Sequence, residues 1–197
     1  MSEFSCSYHL KSDSIDDCIK LIRKANVTGF VFPAREGWVS FVVDEPDFVF
    51  SEKLMDANDG ILLNFISAED HGWSFEVYSK NTKVCKFECY YSEDEEEEDF
   101  DESSFDDVDD FSRLFPCKYS REKFVDNWDG LFSGDQSRIL DRTFTMDTKT
   151  PPMEKVTASD FASGMGLYFV EWVSYNYICD DPPTEYGEYT DLEITKV

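Results

Sequence analysis

The chain has few of the residues that enzymes commonly use for acid–base chemistry and that proteins use to bind nucleic acid. Its 197 residues include 2 histidines, His9 and His71, and 18 lysines and arginines against 43 aspartates and glutamates. Two imidazoles leave little basis for a nucleophilic scheme that depends on histidine. The formal net charge of −25 argues against phosphate backbones and anionic membranes as direct partners. A basic protein surface is the natural complement.

Long apolar runs and known catalytic motifs are also missing from the sequence. There is no basic start followed by an apolar stretch, and no run of about eighteen uncharged apolar residues. We therefore expect neither a signal peptide nor a membrane span, and a cytoplasmic location. GxSxG, P-loop, HExxH and GxGxxG motifs do not occur. These features predict a protein without catalytic residues and without a cofactor.

Six cysteines are present, and they admit two interpretations. They could form three disulfides, but a chain of this length without an export signal favours reduced, buried thiols. Cys85 and Cys89 alternate with Phe87 on one face of a predicted strand. No second pair of cysteines or histidines completes a zinc site. A calcium loop counted from Asp99 has Ser104 where glycine is required, so we expect no formed metal site.

A dense acidic run lies in the middle of the chain. Between Glu93 and Asp110, thirteen of eighteen residues are carboxylates, and without them the net charge would still be −12. Charges this close repel one another and resist burial, which predicts a solvated loop or an interaction segment. The candidate partner-binding residues are Glu93, Asp94, Glu95, Glu96, Glu97, Glu98, Asp99, Asp101 and Glu102.

The first ninety residues have the pattern of a compact α+β unit. Apolar residues between Ile15 and Ile22 follow the i, i+3, i+4, i+7 spacing of a buried helical face, and Asn26 provides a stop. Apolar runs predict five or six strands around this helix. The run ILLNFIS is apolar throughout and predicts a central strand, whereas the alternation in KVCKFECYY predicts a strand with one wet face. We expect a mixed or mainly antiparallel sheet packed by helices.

After the acidic run, the spacing of apolar residues predicts mainly helix. Residues 120–144 have helical periodicity, and a further short helix is expected over Ser159–Met165. The sequence LYFVEWVSYNYI then predicts an aromatic strand. The chain is accordingly divided into an α+β sheet region (1–92), an acidic linker or loop (93–112), a helical region with a late strand that packs on the first region (113–180), and a polar tail (181–197).

Several short stretches occur in a defined order along the chain. After an early helix come Gly37-Trp38-Val39 at the start of a strand and a second strand leading into Glu69-Asp70-His71-Gly72-Trp73. An acidic middle follows, and then Gly166-Leu167 and Ser174-Tyr175-Asn176-Tyr177-Ile178. This order resembles that of a group of uncharacterised bacterial α+β proteins with no established activity, and the resemblance spans residues 28 to 178. It implies a bacterial origin and no particular catalytic residues.

The stretch around His71 is a candidate pocket. Asp70, His71 and Trp73 lie between two predicted strands, where a loop histidine beside a carboxylate would suit catalysis or metal binding. A turn also explains these residues, because Asp hydrogen-bonds to the backbone of turns and Gly adopts the positive φ that many turns require. We favour that structural interpretation.

The sequence therefore favours a non-catalytic, cytoplasmic protein of the immunity or inhibitor type that binds a basic protein partner. One alternative is a DNA mimic that blocks a nucleic-acid-binding protein. A mimic would present carboxylates on rigid elements at phosphate-like spacing, which a contiguous acidic run does not favour. A second alternative is a hydrolase that uses carboxylates. The sequence does not indicate the oligomeric state.

Overall fold

Eight strands of the described residues form one antiparallel sheet. A computed structural model describes residues 4–68, 71–91, 117–171, 173–180 and 193–197. The strand order is β7-β6-β5-β4-β1-β3-β2-β8, and every neighbouring pair is antiparallel. This architecture confirms the predicted α+β class. The strands are β1 (Phe4–Lys11), β2 (Gly29–Val31), β3 (Trp38–Val43), β4 (Ile61–Ala68), β5 (Gly72–Ser79), β6 (Thr82–Tyr91), β7 (Cys117–Lys123) and β8 (Thr195–Lys196).

The described part of the chain also contains five α-helices. They are α1 (Ile15–Ala25), α2 (Glu52–Ala57), α3 (Asp135–Thr145), α4 (Ala158–Met165) and α5 (Tyr175–Asp180). Helix α1 ends at Asn26, which adopts a left-handed φ of 54°. Helix α4 begins with a capping box between Thr157 and Asp160 and ends at Gly166 with φ 71°. The helices predicted before Asn26 and over Ser159–Met165 are therefore confirmed.

The main core lies on one side of the sheet, which we call the first face. Phe65, Phe75 and Phe87, from β4, β5 and β6, are fully buried there. Phe161 of α4 stacks on Phe75 with ring centroids 4.0 Å apart. Residues before and after the acidic run share this core, so the sheet region and the region after the run pack together.

The opposite side, the second face, is covered by helices over β1, β3 and β2. Helices α1 and α2 bury Tyr8, Phe41 and Leu62 on this side. The strands β5, β6 and β7 present partly or fully exposed side chains on the same face. These are Ser74, Glu76, Lys86, Glu88, Tyr90, Lys118, Ser120 and Glu122. The wet face predicted for β6 is confirmed, and β4 is a central strand, as its apolar sequence indicated.

The helix predicted to start near residue 120 is wrong. Residues 117 to 123 form β7, which pairs in register with β6, and residues 124–134 form turns and irregular structure. Phe124 is 61% exposed, whereas a helical stripe would have buried it. Residues 117 to 123 form a strand because they make backbone hydrogen bonds to the edge of β6. The spacing of apolar residues along the chain does not reveal that this edge is there to pair with. Helix α3 confirms the periodicity that begins at Asp135.

The aromatic strand predicted over LYFVEWVSYNYI is also wrong. The chain turns at Phe169, whose φ is 58°, and a helix begins at Tyr175. Ser174 Oγ accepts a hydrogen bond from the Tyr177 backbone N–H at 3.2 Å, which favours the helix. The backbone of Val173 contacts β1 twice: its carbonyl oxygen accepts from the Cys6 N–H at 2.8 Å, and its N–H donates to Ser5 Oγ at 3.2 Å. Phe169 and Tyr175 of this stretch pack on the first face over β2 and β3.

The end of the polar tail returns to the sheet. Strand β8 pairs with the outer side of β2, with Thr195 opposite Val31 and Lys196 opposite Phe30. The backbone N–H of Gly29 donates to Val197 O at 3.1 Å, and the N–H of Val197 donates to Gly29 O at 2.9 Å. This short pairing protects one edge of the sheet.

Candidate functional site

A groove lies on the second face where the helix-covered half of the sheet meets the polar half. Phe48 and Phe50, between β3 and α2, form one wall, and the cavity volume is about 350 Å³. This is near the lower end of the range for binding pockets, roughly 300 to 1,000 Å³. The floor consists of Asn64, Ile66 and Ala68 from β4, Ser74 and Glu76 from β5, and Lys86, Glu88 and Tyr90 from β6.

A ladder of charged side chains crosses the groove floor. Lys86 Nζ lies 2.9 Å from Glu88 Oε1 and 3.5 Å from Glu76 Oε1. Tyr90 donates its hydroxyl to Glu88 at 2.8 Å. The hydrogen bond to Glu88 raises the pKa of Lys86. Burial acts to raise the pKa of Glu88, but the hydrogen bonds from Lys86 and Tyr90 outweigh it and the pKa is lowered. The floor therefore holds the ionised carboxylate of Glu88 beside the ammonium group of Lys86.

The groove is bordered by exposed apolar side chains. Phe48, Val49 and Tyr90 are 55%, 60% and 50% exposed, and Phe48 and Tyr90 line the groove. Phe48 has a left-handed φ of 64°, an unfavourable conformation for a bulky residue. Its ring lies 5.0 Å from that of Phe4, centroid to centroid. The neighbouring Asp47 accepts a hydrogen bond from Asn176 at 3.2 Å. These contacts hold the exposed ring at the wall.

The residues of the predicted pocket are distributed over both faces of the sheet. His71 is exposed in the turn between β4 and β5 and borders one end of the groove. The ring of Trp73 packs in the main core, with its centroid 4.8 Å from that of Phe87. His71 and Trp73 both line the groove, although the Trp73 side chain is buried in the main core on the first face. Asp70 lies outside the described residues, as do Glu93, Asp94, Glu95, Glu96, Glu97, Glu98, Asp99, Asp101 and Glu102.

A second polar group, which the sequence interpretation did not single out, is buried on the first face. Ser40 Oγ donates to the Tyr168 carbonyl at 2.9 Å and lies 2.8 Å from His9 Nδ1. The single hydroxyl proton of Ser40 is donated to that carbonyl, so Ser40 Oγ accepts the hydrogen bond from His9 Nδ1–H. The other ring nitrogen, Nε2, therefore has no proton and accepts a hydrogen bond from Ser7 Oγ at 2.9 Å. Burial lowers the pKa of His9 to about 3. His9 is therefore neutral.

The chemistry available to this buried group is limited by access. A serine that donates to an imidazole is part of a nucleophilic arrangement, but His9 and Ser7 are fully buried and Ser40 is nearly so. No substrate reaches them in this conformation. The group instead joins β1, β3 and the segment around Tyr168. Alternation in the sequence places Ser7 and His9 on one face, but the position of Ser40 depends on the register of β3.

Neither metal ligands nor reactive thiols are gathered at the groove. In the part of the chain that the structure describes, no three His, Cys, Asp or Glu side chains are grouped to hold a metal ion. Cys18, Cys85 and Cys89 are buried, as predicted, and these three are not disulfide-bonded. Burial raises the pKa of the Cys18 and Cys85 thiols, which keeps them protonated. Cys179 is free and exposed.

Comparison with known proteins yields no match. No family model fits the chain, and no curated protein or solved structure is significantly similar to it. The resemblance to bacterial α+β proteins therefore stays a prediction. Among the described helices, none combines the length and the apolar character needed to cross a bilayer.

Proposed function

We propose that this protein is a non-catalytic binding protein of the immunity or inhibitor type, which acts on a basic partner protein such as a nuclease toxin. The observation that carries the proposal is the charge imbalance, 43 acidic against 18 basic residues. A strongly negative surface attracts a basic cleft over a distance and occupies positions that would otherwise take phosphate. The bacterial origin and the cytoplasmic location are part of the same proposal.

The pairing of basic side chains on the described surface supports this assignment. Lys24 Nζ lies 2.6 Å from Asp59 Oδ2, and Lys53 Nζ lies 2.7 Å from Glu45 Oε1. Each such pair carries no net charge and contributes little to stability when exposed. The negative electrostatic field of the molecule therefore comes from the acidic residues that exceed the basic ones. Comparable pairs are Lys20 with Asp17, Lys83 with Glu76, Lys86 with Glu88, Lys123 with Asp141, and Arg138 with Asp135.

The acidic run is the main proposed contact with the partner. Tyr91 and Cys117, the described residues on either side of positions 92–116, are opposite each other in the β6–β7 ladder. The N–H of Tyr91 donates to His71 O at 3.1 Å, and His71 lines the groove. The last described residue before the run therefore lies beside one end of the groove.

The binding class is tested by capture of a partner at increasing salt. The tagged protein is incubated with bacterial lysate at about 50, 150 and 500 mM NaCl, and captured proteins are identified by mass spectrometry. We expect a basic protein whose capture falls steeply with salt, because the Debye length shrinks from roughly 10 Å at 0.1 M to a few ångströms. A variant with the nine acids between Glu93 and Glu102 changed to Asn or Gln should lower the association rate more than it changes the dissociation rate.

His71→Ala provides the matched control, because His71 is exposed and its carbonyl oxygen accepts from the N–H of Tyr91, the last described residue before the run. This variant should capture the partner as the wild type does. Salt-insensitive capture, or loss of the biological effect in His71→Ala, would contradict the proposal and favour an enzyme with its site near His71. A captured DNA-binding protein that is released by duplex DNA would instead favour the DNA mimic.

A further inference from the structure

We propose that β7 is a dimerisation surface, which pairs antiparallel with β7 of a second copy of this chain about a two-fold axis at Ser120. This inference goes beyond the proposed function and does not depend on it. Two observations carry it. In the part of the chain that the structure describes, no strand pairs with the outer edge of β7. The sequence of β7 is also complementary to itself in charge.

The two edges of the sheet differ in length. At one edge, β8 has 2 residues, whereas β7 at the other edge has 7 residues. The backbone N–H and C=O groups along a long edge are a template for pairing with another strand. The exposed residues of β7 are Lys118, Ser120, Arg121, Glu122 and Lys123. This edge is therefore long enough and accessible enough to accept a ninth strand.

The register with β6 shows which backbone groups of β7 face outward. The N–H of Phe124 donates to Val84 O at 3.0 Å, and alternate residues back along β7 face β6 in the same way. Tyr119 and Arg121 lie at the intervening positions, so their N–H and C=O groups point away from β6. In an antiparallel pair centred on Ser120, the outward groups of Tyr119 meet those of Arg121 in the second copy.

The charges of β7 match about the same centre. Lys118 and Glu122 lie on either side of Ser120 at equal distance along the strand, so the axis places Lys118 of each copy opposite Glu122 of the other. These are positions without direct backbone hydrogen bonds between the copies, where opposite side chains are closest and opposite charges stabilise the pair. The small side chain of Ser120 meets its own copy at the axis.

Other registers lack this match. An axis at Tyr119 or at Arg121 separates both charge pairs, and an axis at Lys118 or at Glu122 places like charges opposite each other. Basic residues on an edge strand commonly prevent pairing for that reason. With the axis at Ser120, each Lys118 has a glutamate opposite it and each Arg121 has a tyrosine. The sequence of β7 therefore selects one register for the dimer.

The net charge of the whole chain opposes dimerisation, but its effect is limited by salt. Two chains of charge −25 repel each other. Charges farther apart than about 8 Å are largely screened at about 0.15 M salt, whereas directly opposite side chains are closer than that. A single pair of strands buries little surface, so we expect a weak dimer with a Kd of about 10 to 100 µM.

Analytical ultracentrifugation of the full-length protein measures the dimer directly. The protein is studied from about 5 to about 300 µM, a range that brackets the expected Kd. The average mass should rise with concentration from that of one chain toward that of two. A mass of one chain at the highest concentration would overturn the inference.

Charge reversal tests the contact across the axis. Lys118→Glu and Glu122→Lys should each raise the Kd about tenfold, because two favourable pairs become two pairs of like charge. A mixture of the two variants should restore the dimer, since every pair across the axis is then of opposite sign. Lys118 and Glu122 are about 13 Å apart along an extended strand, so they do not contact each other within one chain. Restoration therefore requires contact between copies.

Lys20→Glu is the matched control for the reversals. It makes the same change of charge at an exposed residue of α1, which lies over the other half of the sheet. This variant should dimerise as the wild type does. Wild-type dimerisation by both Lys118→Glu and Glu122→Lys would overturn the inference, as would a mixture of the two folded variants that stays monomeric.

Hydrogen exchange in the wild-type protein tests the backbone contact without any variant. The N–H of Arg121 points outward, so its exchange should slow about fivefold between dilute and concentrated solution, where it donates to the second copy. The N–H of Ser120 faces β6 and should be protected at every concentration. Slow exchange at Arg121 that does not depend on concentration would show that the same chain covers this edge, and the inference would be wrong. That result would leave the salt-dependent capture of a basic partner unaffected.

Discussion

His9 Nδ1 donates a hydrogen bond to Ser40 Oγ over 2.8 Å inside the sheet, where His9 has no exposed surface. The other nitrogen accepts from Ser7, so both ring positions are satisfied only in the neutral form. A proton on Nε2 would remove that acceptor and place a charge in the core. This arrangement makes His9 a determinant of stability toward acid, although it takes no part in the proposed binding surface.

The first prediction concerns the pH dependence of folding. The unfolded chain takes up a proton at His9 near its ordinary pKa of 6.5, whereas the folded protein does so only near a pKa of about 3. The free energy of unfolding should therefore fall as pH falls through 6.5, by about 2 kcal/mol between pH 7.5 and 5.0. Urea denaturation at the two pH values measures this change. His9→Gln should lose most of it.

His71→Gln is the control for that measurement, because His71 is the chain's other histidine and is exposed. It should keep the wild-type fall in stability between the two pH values. If His9→Gln shows the same fall as the wild type, the carboxylates are responsible and the assignment to His9 is wrong.

The second prediction concerns Gly72 at the start of β5. Its φ is 119°, and a Cβ atom at this position would overlap the carbonyl oxygen of Cys89 on the neighbouring strand. Gly72→Ala should lower the free energy of unfolding by about 3 kcal/mol, because backbone strain and displacement of β6 add together. Gly130→Ala is the control, since a Cβ there meets no atom within 4 Å. It should change stability by less than about 0.5 kcal/mol.

The third prediction concerns the contribution of the acidic run to folding. Tyr91 and Cys117 are already opposite each other, so a short Gly/Ser linker in place of residues 93–110 can join β6 to β7. The thermal midpoint should stay nearly unchanged at moderate salt, or rise slightly as repulsion is removed. A same-length variant with Asn and Gln in the run separates charge from chain length. A large fall in the midpoint would show that the acids pair with basic residues of the folded protein.

The fourth prediction concerns the reactivity of the thiols. Iodoacetamide at pH 8 should label Cys179 rapidly in the folded protein and label Cys18 and Cys85 only after unfolding, because burial keeps the latter two protonated and inaccessible. Peptide mass mapping follows each site over time. Cys179→Ser should remove the rapid modification at that position. Rapid labelling of Cys85 in native buffer would contradict the burial of its strand face.

The sequence predicted the first ninety residues well because their signals are local. The helix over Ile15–Ala25 has amphipathic spacing, acids in its first turn and an asparagine stop, and each of these acts within one or two turns. The runs from Ile61 and from Thr82 differ in alternation because one strand is buried on both faces and the other has a polar face. Such patterns need no knowledge of the rest of the chain.

The region after the acidic run was predicted less well because its signals depend on distant partners. Residues 117–123 become a strand since β6 offers an edge to pair with, whereas Phe169, Val173 and Ile178 pack on the first face. Spacing along the chain cannot distinguish these environments from a helical stripe or a core strand. The same limit applies to the candidate pocket, where His71 reaches the groove and the Trp73 ring lies in the core.

The sequence by itself determined the acidity, the α+β class, the early helix and the position of the acidic run, because composition and short-range periodicity are properties of the chain alone. Only the tertiary structure decided that Phe48 and Phe50 face Glu76 and Glu88 across a groove, and that Ser7 and Ser40 enclose His9. Ser7 and His9 are close in sequence, but the groove and the contact between His9 and Ser40 join residues that are far apart along the chain. Their proximity depends on strand order and register, which are set by the cooperative packing of the whole sheet.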